Sequence, residues 1–228
     1  MRINIAIDGP SAAGKSTIAN MLAKRLGYIH LDTGAMYRCT AYKALISGVS
    51  LEDEDALADM LETADIVLTP DGTVFLDGKD VTKAIRQENV SMAASRVSRH
   101  ARVRQDLVAR QQKMAAAKGF IMYGRDIGTV VLKDAEVKVY LTASVHSRAM
   151  RRLLQDYGEK GTPMQLALIE KDIEQRDYND MHRANSPLQK AEDAVVIDNS
   201  DMTREQVVDA ILHLAQPYLQ QEDSCVQQ

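Results

Sequence analysis

Residues 5–17 read Ile5-Ala6-Ile7-Asp8-Gly9-Pro10-Ser11-Ala12-Ala13-Gly14-Lys15-Ser16-Thr17, and this stretch decides the fold. It joins a short apolar run to the pattern G-x-x-x-x-G-K-[ST], which holds a phosphate between a strand and a helix. The glycines let successive backbone N–H groups point at an anion, the helix N-terminus adds about half a positive charge, and Lys15 adds its ammonium group. Ser16 supplies a hydroxyl that can bind the Mg²⁺ of a nucleoside triphosphate. Gly9 to Thr17 are therefore predicted to bind a nucleoside triphosphate.

Short apolar runs recur along the chain and alternate with helical patterns. The predicted strands are 3–7, 28–31, 120–123, 137–141 and 195–197, and the predicted helices are 15–26, 35–46, 145–157, 164–182 and 203–219. Such alternation is typical of a parallel sheet covered by helices on both faces. We therefore predict an α/β fold of the P-loop NTPase type, with three layers and a five-stranded parallel sheet. Its core is assigned to residues 1–34, 115–146 and 190–219.

The middle of the chain departs from this alternation. An acidic helical pattern at 50–65 is followed by short β-like pieces at 66–68, 73–76 and 79–81, and then by helical patterns from 81 to 118 in two or three pieces. Pro70-Asp-Gly and Asp77-Gly supply turns between the β-like pieces. These features predict a small β-rich insert near residues 62–90.

The charge of the chain restricts its ligands. The 228 residues carry a net charge of -4, which argues against binding to a nucleic-acid polymer or to an anionic membrane. Of the 28 basic residues 16 are arginine, and 12 of these lie between Arg86 and Arg183. Because the arginine fork binds phosphate through two hydrogen bonds, this excess favours small phosphorylated ligands.

Several other classes are disfavoured. Cys39 and Cys225 are the only cysteines, so neither a disulfide framework nor a thiolate metal cage is expected, and a cytoplasmic location is predicted. No signal peptide or membrane span is apparent. The histidines do not form a zinc-binding pattern, so a protein-held zinc ion is not expected; they are His30, His100, His146, His182 and His213.

Two other classes of nucleotide-binding protein share this kind of loop. A GTPase should carry an Asn-Lys-x-Asp guanine reader, and the chain has none. Residues 195–198 resemble the apolar strand and aspartate that hold Mg²⁺ in motor ATPases, although Asn199 stands where their acidic partner would be. A P-loop ATPase or a nucleotide-binding regulator therefore stays an open alternative.

Two arginine-containing patterns lie on the helices 145–157 and 164–182. Arg148, Arg151 and Arg152 share one helix face, where like charges destabilise a helix by about 0.2–0.5 kcal/mol per pair unless an anion gathers them. Arg176, Asp180 and Arg183 form a second one-sided stripe, which a solvated surface explains about as well as function does. Their placement around a glycine-containing loop suggests a mobile lid at residues 147–185.

Several motifs together resemble those of the bacterial cytidylate kinase family, and the resemblance spans nearly the whole chain. Besides the phosphate loop they are Asp32-Thr-Gly-Ala-Met-Tyr37-Arg38, Ala94-Ser95-Arg96, Ala101-Arg-Val-Arg104, Gly124-Arg125-Asp126-Ile-Gly-Thr-Val-Val and Arg176-Asp-Tyr-Asn-Asp180-Met-His-Arg183. The resemblance implies ATP-dependent phosphorylation of CMP and dCMP with Mg²⁺, in pyrimidine nucleotide metabolism. It also implies that residues 35–114 bind the acceptor nucleotide.

The resemblance implies a role for individual residues. Thr33 and Tyr37 would line the acceptor nucleotide, and Asp180 would hold its sugar. Ser95, Arg104 and Asp126 would read cytosine, while Arg38, Arg125 and Arg183 would hold the acceptor phosphate. The residues assigned to phosphoryl transfer are Lys15, Arg125, Arg183, Arg148 and Arg152, with Ser16 on the metal.

The chemistry of the base supports the assignment of Asp126. Cytosine presents an amino donor beside a ring acceptor, which suits a carboxylate next to an arginine or serine donor. Uracil reverses both groups, and losing one good bidentate contact costs about 1–3 kcal/mol. The alternative is that Asp126 only forms an ion pair with a nearby arginine.

Some predictions concern the rest of the chain. The lid motif differs from the family in having uncharged residues at Tyr178, Asn179 and Met181, with His182 beside them. The protein is predicted to be a monomer with a polar tail at 220–228, and a kinase for another acceptor such as UMP or AMP stays an alternative. Solvated positions are predicted for Arg86, Arg96, Arg99, Arg102 and Arg110.

Overall fold

Two units make up the computed structural model, which describes residues 1–220. The phosphate-loop unit consists of Met1–Tyr28 and the chain from Lys118 onward, and the insert unit consists of Ile29–Ala117. The predicted tail falls mainly on residues 221–228, which lie outside the described part. The division into core, acceptor region and lid stays a prediction.

The secondary structure follows the predicted alternation. The strands are β1 (Ile5–Asp8), β2 (Ile29–Asp32), β3 (Ile66–Leu68), β4 (Val74–Leu76), β5 (Lys79–Asp80), β6 (Phe120–Gly124), β7 (Val137–Thr142) and β8 (Val195–Asp198). The α-helices are α1 (Lys15–Leu26), α2 (Thr33–Ser47), α3 (Glu54–Glu62), α4 (Glu88–Val97), α5 (Ala101–Ala115), α6 (Val145–Tyr157), α7 (Pro163–His182) and α8 (Arg204–Leu219). Short 3₁₀ turns lie at Ala84–Arg86 and Gly158–Lys160.

The predicted α/β fold with a five-stranded sheet is confirmed. The strand order is β2-β6-β1-β7-β8, and β1 pairs in parallel with both β6 and β7. All four residues of β1 are buried, as expected for a central strand that is covered on both faces. Ile5 and Ile7 belong to one apolar core with Leu22 of α1 and with Val208 and Ile211 of α8.

The first strand begins at Ile5, two residues later than predicted. The backbone N–H of Asn4 donates to Glu136 at 2.8 Å, and its side-chain oxygen accepts from the N–H of Phe120 at 3.2 Å. Backbone bonds from Gly119 to Ile3 and from Val137 to Asn4 also join this segment to its neighbours. Helix α2 likewise begins two residues early, directly after β2, with Asp32 at its N-cap.

The insert unit has its own core and its own sheet. Strands β3, β4 and β5 form a three-stranded antiparallel sheet, which confirms the predicted β-rich insert. The predicted helical stretch 81–118 consists of a 3₁₀ turn, α4 and α5. Buried Met36, Leu57, Val97 and Leu107 draw the helices of this unit into one cluster.

The sequence patterns do not predict the π-helical turn Ile127–Val131, which lies directly after Arg125 and Asp126. Its bonds span five residues, as from the N–H of Leu132 to the carbonyl of Ile127. Apolar periodicity does not reveal so short a segment, and such turns are frequent at functional sites.

No helix within residues 1–220 has both the length and the apolar composition that crossing a bilayer requires.

Candidate nucleotide phosphate site

Three segments of the candidate site follow the carboxyl ends of β1, β6 and β8. Parallel strands bring these ends to the same edge of a sheet, where ligands of open α/β folds bind. The phosphate loop follows β1, the Arg125-Asp126 pair follows β6, and Asn199 follows β8.

The backbone of the phosphate loop is wrapped as the motif predicts. Ala12 and Gly14 have φ of 58° and 91°, and α1 starts at the next residue, Lys15. A Cβ on Gly9 would lie 2.0 Å from the carbonyl oxygen of Leu141 in β7. Only glycine therefore lets the loop leave β1 at this point.

Lys15 lies inside this loop and is 8% exposed. Its Nζ donates to the carbonyls of Gly9 at 2.7 Å and Pro10 at 2.6 Å. Burial lowers the pKa of Lys15 well below its usual value, and the charge of Arg125 lowers it further. Two cations thus repel each other here, so an anion between them would be stabilised.

Ser16 is exposed at the first turn of α1 and accepts a hydrogen bond from the hydroxyl of Tyr123 in β6 at 3.2 Å. Among residues 1–220, no three His, Cys, Asp or Glu side chains gather as a metal cage. Mg²⁺ is usually held through few protein ligands together with substrate phosphates, so one exposed hydroxyl fits this ion.

Asp177 of α7 ties the phosphate loop to α6 and was not predicted. Its carboxylate accepts from the N–H of Ser11 at 3.1 Å and from Nη1 of Arg148 at 2.5 Å. The same Nη1 donates to the carbonyl of Ser11 at 3.0 Å, and Nε of Arg148 donates to Ala143 at 2.9 Å. Asp177 is therefore the ion-pair partner of Arg148 in this structure.

Asn199 is a second residue that the sequence did not single out for function. Its Nδ2 donates to the carbonyl of Ala13 in the phosphate loop at 2.9 Å, and its Oδ1 accepts from Arg151 at 2.8 Å. The missing acidic partner after Asp198 was the signal that could have drawn attention to it. An amide here anchors the loop, whereas a carboxylate would repel the Ala13 carbonyl.

Arg152 is the third arginine of the first pattern. It pairs with Asp172 of α7 at 2.8 Å and with Asp156 at 3.6 Å. Each member of this pattern thus has a protein partner that offsets the repulsion between like charges on α6.

The second pattern brings together the predicted acceptor residues of this unit. Nε of Arg125 donates to Asp180 at 2.6 Å, and Arg183 lies 3.8 Å from Asp126. Burial by itself would raise the pKa of Asp180, but Arg125 outweighs this and the pKa is lowered. Arg183 is therefore close enough to Asp126 for the ion-pair alternative. Asp126 is also the residue that is predicted to read the base, so both interpretations stay open.

Asp8, the last residue of β1, is another carboxylate that the sequence did not single out. It is 3% exposed, and burial raises its pKa to about 6 against the opposing hydrogen bonds from Gly128 and Ile127. The one signal for Asp8 in the sequence is that a short apolar run ends in a carboxylate.

The insert unit holds the other predicted acceptor residues. Thr33 is buried at the start of α2, and Arg38 one turn later pairs with Asp32 at 2.7 Å. The guanidinium of Arg104 in α5 lies 5.4 Å from the ring centroid of Tyr37, within the range of a cation–π contact. Ser95 is half-buried on α4.

Among the remaining arginines, the prediction of solvation was wrong for Arg110. It donates to the carbonyls of Leu61 at 2.7 Å and Ala64 at 2.8 Å, and so caps the end of α3. Arg96 and Arg102 are exposed, as predicted, and pair with Glu52 and Asp55.

Comparisons with known proteins show the family of the chain. Residues 5–217 match the family model of cytidylate kinase. The chain belongs to the cytidylate kinase family. Curated cytidylate kinases share 50% identity over 93% of this chain and 95% of the relative in Caldicellulosiruptor saccharolyticus, and 46% over 93% and 96% in Ligilactobacillus salivarius. The relative in Geobacillus sp. (strain WCH70) shares 48% over 93% of this chain and 96% of its own.

A solved shikimate kinase from Acinetobacter baumannii in complex with shikimate also matches, with a TM-score of 0.45 and 17% identity over 96% of this chain and 95% of that chain. The family membership rests on the curated relatives and not on this distant likeness.

Proposed function

We propose that the protein transfers the terminal phosphoryl group of ATP to CMP, and to dCMP, giving the nucleoside diphosphates. The observation that carries the proposal is a buried Lys15 inside the phosphate loop, where its Nζ bonds to the carbonyls of Gly9 and Pro10. Arg125, whose side chain is 23% exposed, lies close enough for its charge to lower the pKa of Lys15. Phosphate groups, which are negative at neutral pH, would bind to these cations and offset their repulsion.

The reaction needs little proton transfer. The acceptor is a phosphate oxygen that is already anionic near pH 7, so no general base is required. The rate then depends on holding the two nucleotides in line and on offsetting the charge of the transferred group. The buried cations of the phosphate-loop unit suit this task because charges act most strongly where water is excluded.

The residues of the phosphate loop, Gly9, Pro10, Ser11, Ala12, Ala13, Gly14, Lys15, Ser16 and Thr17, are assigned to the phosphates of ATP. Arg125 and Arg183 are assigned to the phosphate of CMP, and Asp180 to its sugar. Asp180 would release Arg125 in part when it accepts a sugar hydroxyl. Arg148 and Arg152 are assigned to the transferred group.

The insert unit is assigned contacts to CMP as well. Arg38 would hold the acceptor phosphate, with Thr33 and Tyr37 lining the nucleotide. Ser95 and Arg104 would donate to the ring acceptors of cytosine, and the cation–π contact of Arg104 with Tyr37 would help to hold its guanidinium.

Mg²⁺ is assigned to the hydroxyl of Ser16 together with the phosphates of ATP. When bound, the ion offsets negative charge on the phosphates. The bond from Tyr123 leaves an oxygen lone pair of Ser16 to face it. A monomeric state and a cytoplasmic location stay predictions from the sequence.

A panel of acceptors tests the proposal. CMP, dCMP, UMP and AMP are each supplied with ATP and Mg²⁺, and formation of ADP is followed in a coupled assay. We expect kcat/KM for CMP to exceed that for UMP by roughly tenfold or more, since uracil would leave Asp126 without its donor. A higher kcat/KM for UMP or AMP would select another acceptor, and ATP hydrolysis independent of any monophosphate would select an ATPase.

A further inference from the structure

Asp8 caps a helical turn that belongs to a distant part of the chain. Its Oδ1 accepts from the N–H of Ile127 at 2.8 Å, and its Oδ2 accepts from the N–H of Gly128 at 2.7 Å. These are the first two N–H groups of the π-helical turn Ile127–Val131. Such N–H groups have no partner within their own helix and need one from outside.

The residue that would ordinarily cap this turn is Asp126. Aspartate at an N-cap position typically accepts from the N–H of the second or third residue after it, which here are Gly128 and Thr129. The side chain of Asp126 makes no such capping bond, and it lies 3.8 Å from Arg183. Asp8 thus takes the N–H of Gly128, to which the carboxylate of Asp126 could otherwise turn.

We infer that Asp8 is a positioning residue of the reaction, which caps the 127–131 turn in place of Asp126 and so keeps the carboxylate of Asp126 turned toward the acceptor base. The inference rests on the proposed function, since it assumes that Asp126 reads cytosine. It assigns Asp8 no contact with either nucleotide.

The space around Gly128 is closely filled. A Cβ on Gly128 would lie 3.4 Å from Oδ2 of Asp8, 3.4 Å from Ala191 and 3.3 Å from the side chain of Lys138. A methyl group would therefore just touch these atoms, and a larger side chain at 128 would press on the carboxylate of Asp8.

The surroundings of Asp8 make its charge sensitive to pH. Lys15 of α1 and Arg125 are the cations that feel its charge, and Asp126 is the anion. Tyr140 of β7 also faces it, and the negative charge of Asp8 contributes to raising the pKa of that phenol. A protonated Asp8 would turn one acceptor oxygen into a donor that opposes a backbone N–H.

Asp8→Asn tests the inference because it keeps the shape of the side chain and replaces one acceptor with an NH₂ donor. We expect the KM for CMP to rise by roughly tenfold or more, the KM for ATP to change less than about twofold, and the preference for CMP over UMP to fall. Glu136→Gln is the matched control, because Glu136 also accepts a backbone N–H, from Asn4 at the opposite end of β1. It should leave both KM values and the preference unchanged.

A double-mutant cycle separates positioning from general damage. If Asp8 acts through Asp126, then Asp126→Asn should cost far less in the Asp8→Asn background than in the wild type. Fully additive losses would overturn the inference. So would an Asp8→Asn enzyme whose preference between CMP and UMP equals that of the wild type.

The wild type gives a second readout if Asp8→Asn does not fold. The ratio of kcat/KM for CMP to that for UMP is measured from pH 5 to 8, and the titration of the nucleotide phosphate, with its pKa of about 6, cancels in this ratio. We expect the ratio to fall as pH drops below about 6, where Asp8 takes up a proton. A ratio that is flat with pH would contradict the inference, whereas a wild type that does not phosphorylate CMP at all would instead overturn the proposed function.

Discussion

Arg148 of the phosphate-loop unit and the surface arginines of the insert unit have different surroundings. Arg148 is 5% exposed and bonds to Asp177, which is itself buried, whereas Arg96 is 50% exposed and Arg102 is 47% exposed beside surface carboxylates. Arg148 is held by several bonds where an unpaired charge would be costly, whereas the charges of Arg96 and Arg102 are solvated. Burial and partner separate these arginines more than the unit does, since Arg104 of the insert unit is also buried.

The removal of Lys15 is expected to have the largest effect. Lys15→Ala should lower kcat by about a thousandfold, or about 4 kcal/mol, because a buried cation in the phosphate loop is lost. Binding of CMP, measured by calorimetry, should stay nearly normal. Lys24→Ala on the exposed face of the same helix is the control, and near-normal turnover by Lys15→Ala would remove the main claim about this loop.

The next test compares a buried with an exposed arginine directly. Arg148→Met should lower the free energy of unfolding by about 3–5 kcal/mol, since it leaves the buried carboxylate of Asp177 without its cation. Arg96→Met removes a surface pair and should cost less than about 1 kcal/mol. Both changes in the free energy of unfolding are to be measured by urea denaturation. Equal losses of stability in the two variants would show that the difference in burial between Arg148 and Arg96 does not affect the free energy of unfolding.

Stability against pH tests the buried carboxylate at the end of β1. Its pKa is raised from 3.8 to about 6 in the folded protein, so the folded state binds more protons than the unfolded state between these values. The free energy of unfolding should therefore fall as pH rises from about 4 to about 6, by about 3 kcal/mol in total from this group. Asp8→Asn should abolish that contribution.

Glu136 gives the opposite sign and serves as the control for this experiment. Burial alone would raise the pKa of Glu136, but bonds from Lys118 and Asn4 outweigh it and the pKa is lowered. Its stabilisation is present above pH 4.5 and is lost as pH falls below that value. In Glu136→Gln, this group should no longer lower the free energy of unfolding in acid. The fall in the free energy of unfolding between about pH 4 and 6 should remain, because it comes from Asp8.

The last test concerns Arg110, which lies between the buried and the exposed arginines in its exposure. Arg110→Met should cost about 1.5–3 kcal/mol in the free energy of unfolding, because two carbonyls at the end of α3 lose a charged donor. Turnover at saturating nucleotide should not change. A loss as small as that of Arg96→Met would place Arg110 with the solvated arginines, as the sequence predicted.

Much of the candidate site could be predicted because it depends on local patterns. The phosphate loop follows from glycines, a lysine and a serine within eight positions, and Arg125, Asp126, Asp180 and Arg183 came from short runs that resemble a known family. The sequence missed Asp8, Asp177 and Asn199, since each acts through contacts with residues more than a hundred positions away, at Ile127, Ser11 and Ala13. No short pattern records such contacts.

The sequence by itself determined the α/β fold, the phosphate loop and the family, because strand alternation and loop chemistry act within a few residues of one another. Only the tertiary structure decided which charged residues are buried and what each one faces. In the folded chain Asp177 bonds to Arg148, and Asp8 accepts from the first N–H of the 127–131 turn. The free energy of a charged group depends on its exposure and its neighbours, and folding sets both.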